Sequence, residues 1–365
     1  MNPAMRILAT SAACIAMSLA GAGTPPRFPP GAVWHKDISA AAVHPNSTTM
    51  LSTLSGLGGW GNSNRFQIDF GLQVFHDAPA NAPRYSVVPR AGNGTYYTPD
   101  CEALPTTMPV PETAAFEGQL GLSCDNANQD CHLLIQQGNQ LYELFSGNLS
   151  GGVLNAACLV VWNLAVVYPP AGRGDNCTSA DAAGFPIAPL LPNADEVAAA
   201  VGVANSDLGH AIRFILPNAR MASDAVTGGT GGRLYVRPAT HAGAPSGPSA
   251  SVPYGSRLRL KPTFSVAGYN AAAQVILRTM QRYGIVLSDG GNIALAFEGD
   301  RFTTAKWSEL GIGPHVFWSG ANGATPVAVG DFEIIGTGPR IAEFFNCVRT
   351  SEPFDLIFAS GFDAT

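Results

Sequence analysis

The chain of 365 residues carries 20 lysines and arginines against 26 acids, a formal net charge of −6, with 46% of residues hydrophobic and only 13% charged. So apolar a composition excludes an intrinsically disordered chain, and the acidic balance leaves no electrostatic footprint for nucleic acid or an anionic membrane. The 41 glycines and 28 prolines interrupt the chain too often for a helical bundle and suit short strands joined by turns.

The N-terminus reads as a secretory leader. One cation, Arg6, precedes an uncharged apolar run from Ile7 to Leu19, and Ala20-Gly21-Ala22 has the small-residue pattern of a cleavage site. This places a signal peptide at 1–22 and the folded chain at 23–365, secreted or periplasmic. The run is shorter than the roughly 20 residues a spanning helix needs, so no membrane insertion is expected after cleavage. Lipid anchoring at Cys14 is the weaker alternative, because Ser-Ala-Ala before it is a poor lipoprotein box.

Arg65 to Phe75, RFQIDFGLQVF, alternates with period two and predicts a strand with Phe66, Ile68, Phe70, Leu72 and Val74 on one face. Gln67, Asp69 and Gln73 fall on the other face, with Trp60 and Asn62 just before them in a glycine-rich turn. A carboxylate, amides and an indole suit a sugar ring, whose hydroxyls take paired polar groups and whose C–H face takes an aromatic platform. The alternative is a solvated outer face with Trp60 in the core.

Further strands are expected at Gly118–Ser123, His132–Gln136, Gln140–Phe145, Leu159–Val167, Ala211–Leu216, Arg233–Arg237, Arg257–Phe264, Ile293–Phe297 and Asp331–Ile335. Two helices are expected, one over Ala194–Val203 capped by Asn193, the other over Ala271–Tyr283 between Asn270 and Gly284. The second has an apolar stripe of Ala273, Ile276, Met280 and Tyr283. Many short strands with turn-rich linkers predict a mostly β fold, an antiparallel two-sheet sandwich or jelly roll with one or two packed helices, forming a single domain.

Along the same chain lie four further candidate groups. Glu143 stands between apolar neighbours in QLYELF, where desolvation would raise its pKa as a general acid requires, unless it pairs with an arginine. The loop Arg173–Pro186, RGDNCTSADAAGFP, offers Asp175, Ser179 and Asp181 among small residues that leave room for a ligand, unless they satisfy their own backbone. His210 and His241 each end a candidate strand and could meet at one rim as bases, although half-buried histidines commonly bond backbone. Arg257 and Arg259 alternate with leucines and could hold an acidic sugar, unless they form a solvated face.

Six cysteines outside the leader, Cys101, Cys124, Cys131, Cys158, Cys177 and Cys347, favour three disulfides in an exported chain. Cys124 and Cys131 enclose only DNANQD and are expected to close a small loop. No C-x-x-C occurs, so no metal site is expected. The absence of G-x-S-x-G, H-E-x-x-H and Walker patterns excludes the common serine hydrolases, zincins and nucleotide enzymes, and no cofactor is expected.

The segment from Pro253 to Gly291, with HAIRF at His210–Phe214, PATHA at Pro238–Ala242 and CTSADAAGFP at Cys177–Pro186, resembles a family of exported bacterial proteins of unknown function. The resemblance implies an exported, mostly β chain and brings no catalytic residue with it. From the residues themselves, the expected function is a glycoside hydrolase, expected to be a monomer, acting on extracellular polysaccharide or oligosaccharide. Its carboxylate pair is drawn from Asp69, Glu143 and Asp181, with Trp60 or Trp162 nearby. The alternatives are a lyase for uronate-containing glycan, using His210 or His241 with Tyr235 and the Arg257/Arg259 row, and a non-catalytic carbohydrate-binding module.

Overall fold

The computed structural model describes residues 24–90, 94–320, 324–336 and 338–350, so the expected leader and Cys14 lie outside the described residues. In chain order the strands of the first half are β1 (Ile68–Asp69), β2 (Val74–Phe75), β3 (Arg84–Pro89), β4 (Thr106–Pro109), β5 (Leu133–Gln137), β6 (Gln140–Phe145), β7 (Asn148–Ser150), β8 (Val153–Ala156) and β9 (Cys158–Asn163). The second half adds β10 (Ile212–Leu216), β11 (Leu234–Tyr235), β12 (Arg257–Leu260), β13 (Ile285–Gly290), β14 (Leu295–Ala296), β15 (Phe332–Ile334) and β16 (Ile341–Ala342). Helices are few: α1 (Ser47–Gly56), the single turn α2 (Gly61–Asn64), α3 (Ala194–Ala200) and α4 (Ala271–Arg282).

The strands form a six-stranded sheet in the order β1-β14-β10-β13-β12-β15, two four-stranded sheets, β2-β5-β6-β9 and β4-β3-β8-β7, and a β11-β16 pair. The fold is mostly β as expected, but it is not an antiparallel two-sheet sandwich. β1 with β14, β10 with β13, β2 with β5, and β3 with β8 all run parallel. Parallel neighbours need crossover connections rather than hairpins, so their pairing is set by chain segments far from either strand.

The sheet β2-β5-β6-β9 is shared between two cores. Leu133, Ile135, Leu144 and Leu159 point into a smaller cluster with Val87, Met108 and Leu154 of the β4-β3-β8-β7 sheet. Leu134, Leu141, Val160 and Trp162, one residue out of step, point into the large cluster that contains Phe214, Leu258, Leu287 and α4. Strand alternation thus gives one sheet two buried faces. The Cys177–Leu191 stretch fills the space on its large-core side, with Ala180, Ala183, Phe185, Ile187 and Leu190 all in that cluster.

Some expectations change. Arg65–Phe75 keeps its alternation of burial, but it splits between β1 and β2 in different sheets, because the Asp69 carboxylate accepts from Gly71 N at 2.8 Å and turns the chain. Gly118–Ser123 is not a strand; Phe116 and Gly121 bond across it as a turn. α1 and β13 were not expected at all. All six described cysteines pair, as Cys101–Cys158, Cys124–Cys131 and Cys177–Cys347, and no helix among the described residues is long and apolar enough to cross a membrane.

Candidate functional site

The loop that follows Cys177 is held from every side. Its cysteine is tied to Cys347, Ser179 Oγ donates to Phe185 O at 2.6 Å, and the Asp181 carboxylate accepts from Ala183 N at 3.1 Å. Gly184 has φ +77° and lies so close to Thr240 that an added Cβ would stand 2.1 Å from its hydroxyl, which restricts the position to glycine. Two histidines reach its carbonyls: His241 Nδ1 donates to Ala182 O at 2.7 Å and His132 Nε2 to Ala180 O at 3.0 Å.

Around this loop the structure gathers charged side chains from β10, β13 and the segments near 117 and 130–132. Arg213, on β10 between the core residues Ile212 and Phe214, projects to the other face of its strand. Its Nε donates to Asp181 Oδ2 at 2.8 Å and its Nη2 to Asp289 Oδ2 at 3.0 Å. Those two nitrogens form one edge of the guanidinium, so two carboxylates share it. Asp181 is buried, whereas Asp289 at the end of β13 is 25% exposed. Burial pushes the Asp181 carboxyl upward and Asp289 adds to this, against the pull of Arg213.

His132 joins the group through its second nitrogen, with Nδ1 2.7 Å from Glu117 Oε2. Both ring nitrogens face acceptors, which requires both to carry protons. Burial opposes the charge, but Glu117 outweighs it and raises the His132 pKa to about 9. Burial likewise works against ionised Glu117, and the His132 charge overcomes it, holding that carboxyl below its ordinary value. Asp130 goes the other way: partial burial of its carboxyl raises it, with Glu117 and Asp289 adding repulsion. Asp130 is open to solvent and Glu117 is 23% exposed, so the cluster reaches the surface beside the amides of Gln119 and Gln129, which bond each other at 3.1 Å.

Most of the expected residues lie elsewhere. Trp60 is fully buried against Phe66, Phe214 and Phe332 and has no ring face for a ligand. Gln67 accepts from Asn62, and Gln73 donates to Gln119 O at 3.1 Å. Asp69 spends its carboxylate on Gly71 N, although Gly71 also borders Glu117, so it stands at the edge of the cluster. Glu143 is buried on the large-core face, taking Trp162 Nε1 at 2.9 Å and the Ile187 and Ala188 amides at 2.8 Å each. It anchors the backbone and does not line an open cleft.

Of the loop residues, Ser179 bonds backbone only, and Asp175, half exposed, pairs with Arg237 and the Tyr235 hydroxyl away from Arg213. His241 supports the loop, whereas His210 is buried beside Glu196 and does not meet it. The arginine row is neither solvated nor available to a uronate. Arg257 donates to Tyr283 O, Val33 O and Lys36 O at 2.7 to 3.0 Å, and Arg259 pairs with Glu333 and the Ile38, Ser39 and Ala41 carbonyls. Together they fasten the segment 33–41 to the six-stranded sheet.

Sequence reading missed Glu117, Asp130, His132, Arg213 and Asp289. A cation in the apolar strand AIRFIL was the one local sign, since an arginine buried on a central strand needs acids beside it. Among the described residues no group of three His, Cys, Asp or Glu side chains could hold a metal ion. No family model, curated protein or solved structure matches the chain.

Proposed function

We propose that the protein is exported and acts on extracellular glycan as a glycoside hydrolase, with Asp130 as proton donor and Glu117 as the second carboxylate. The observation that carries this reading is the pairing of Glu117 with His132 and of Asp289 with Arg213 at a solvent-reaching edge of the molecule, with exposed Asp130 two residues before His132 in the chain. Glycosidic cleavage needs a protonated carboxyl for the leaving oxygen and an ionised one for the oxocarbenium charge or the attacking water. Environments that displace two neighbouring carboxyls in opposite directions suit those roles. His132, bonded to Glu117 and to the Ala180 carbonyl, holds the second carboxylate in place, and Arg213 adds positive charge beside it. Gln119 and Gln129 supply amides of the kind sugar hydroxyls bind. The disulfides support export, and the reading needs neither cofactor nor metal.

The test is a panel of polysaccharides incubated with the purified protein, scored for new reducing ends and for ultraviolet-absorbing unsaturated products. Hydrolysis is expected to give the first without the second, and Glu117→Gln or Asp130→Asn should lower turnover by about 100-fold or more, the usual weight of general acid–base catalysis. Unsaturated products would transfer the site to lyase chemistry, and saturable binding with neither product would reduce it to a binding module.

A further inference from the structure

A groove of about 580 Å³ opens where β6 begins and β9 ends, with Thr98, Glu102, Gln140, Asn163 and Arg349 in its wall. The acidic cluster lies past the opposite end of the same β6–β9 pair, beyond Phe145 and Cys158, so the groove is a separate place. Two guanidiniums share one carboxylate there: Arg173 Nη2 lies 2.6 Å from Glu102 Oε1 and Arg349 Nη2 lies 3.4 Å from the same oxygen.

The two arginines are not equivalent. Arg173 is buried, and its Nη1 also donates to Asp100 O at 3.0 Å. Arg349 is 30% exposed; among the described residues its Nη1 reaches only Cys101 O, at 3.3 Å, and its Nε, which is shut off from solvent, has no partner. Charge-assisted bonds ordinarily close to about 2.7–2.9 Å, so Arg349 retains donor capacity. Two cations against one carboxylate also leave a net positive charge, in a molecule whose overall charge is −6.

We propose that this groove is a subsite for an acidic saccharide, with a uronate carboxylate on Arg349 and ring hydroxyls on Gln140, Asn163 and Thr98. The proposal rests on the reading that the protein acts on glycan, and it names the acidic class of that glycan. A guanidinium presents its donors in the plane a carboxylate needs, and side-chain amides and a hydroxyl beside it match a polyol better than a bare anion.

The experiment is calorimetric titration of the whole protein with trigalacturonic acid, with neutral trigalactose and a sulfated trigalactose as comparisons. Trigalacturonic acid is expected to bind saturably and more weakly as salt is raised. Arg349→Ala should weaken it by about tenfold, since one charge-assisted contact is worth that much. Gln140→Ala should weaken it less. Gln140→Ala guards against loss of fold in the arginine variant, as does an unchanged melting midpoint. Equal binding of neutral trigalactose, tighter binding of the sulfated sugar, or indifference to both groove substitutions would overturn the uronate subsite. Binding that persists in a protein producing no reducing ends would keep the subsite and remove the hydrolase reading.

Discussion

At the scale of single residues, Glu143 shows how a carboxylate with the surroundings of a general acid can instead serve the backbone. Its oxygens accept from Trp162 Nε1, Ile187 N and Ala188 N, and no part of it is exposed. Removing it strands three buried donors, the Trp162 indole on β9 and two amides at the start of the Ala188–Leu190 turn. Each unsatisfied donor costs about 1–3 kcal/mol, so Glu143→Ala is expected to destabilise by about 3–5 kcal/mol in urea unfolding. Glu143→Leu should be no better, because filling the volume leaves the same donors unpaired. Glu143→Gln should be milder, since its carbonyl can still accept from two of them. A leucine variant as stable as the parent would show that another acceptor takes over. Arg213 and Glu143 also explain why the site was only partly legible: a polar residue amid apolar neighbours signals a partner, but the partners, Asp289 and the 187–188 amides, lie 76 and 44 residues away.

At the scale of elements, α4 separates what local sequence determines from what packing determines. Its ends follow from local chemistry: Asn270 accepts from Ala273 N at 2.8 Å, and Gly284 follows the last turn with φ +73°. Its buried face is wider than the expected stripe, because Val275, Leu277 and Thr279 are buried along with Ile276 and Met280. Ile276→Ala and Met280→Ala are each expected to cost about 2–5 kcal/mol. Arg278, which a stripe alone would leave indifferent, donates to Ser206 O at 2.7 Å, so Arg278→Ala should cost about 0.5–1.5 kcal/mol. Denaturant midpoints of the three variants test that order. The same division explains β6, whose limits Gln140–Phe145 were expected, and the parallel pairs, which were not. Alternation is written within a strand, whereas its neighbour is chosen by segments that pack far along the chain.

At the scale of the whole molecule, buried ionisable groups decide how stability follows pH. Burial raises Glu143 to about 7, with the backbone and indole donors opposing it, and the Glu117 pair, against burial, raises His132 to about 9. A group whose folded-state pKa is raised contributes stability that is complete below its unfolded value and is lost as pH rises through the folded one. For Glu143 that loss runs from about 4.5 to about 7, and for His132 from about 6.5 to about 9. Glu196 has the opposite sign: burial works against it, but Arg27 and His210 hold it at about 2, so its contribution is lost only as pH falls from 4.5 toward that value. The melting midpoint is therefore expected to be highest near pH 5 and to fall by several degrees toward pH 9, a direction set by linkage. His132→Gln should flatten the upper part of that fall, because glutamine can still donate to one acceptor but cannot lose a proton there. A midpoint that rises steadily from pH 5 to pH 9 in differential scanning calorimetry would mean that His132 is not held as the doubly protonated bridge between Glu117 and the Ala180 carbonyl.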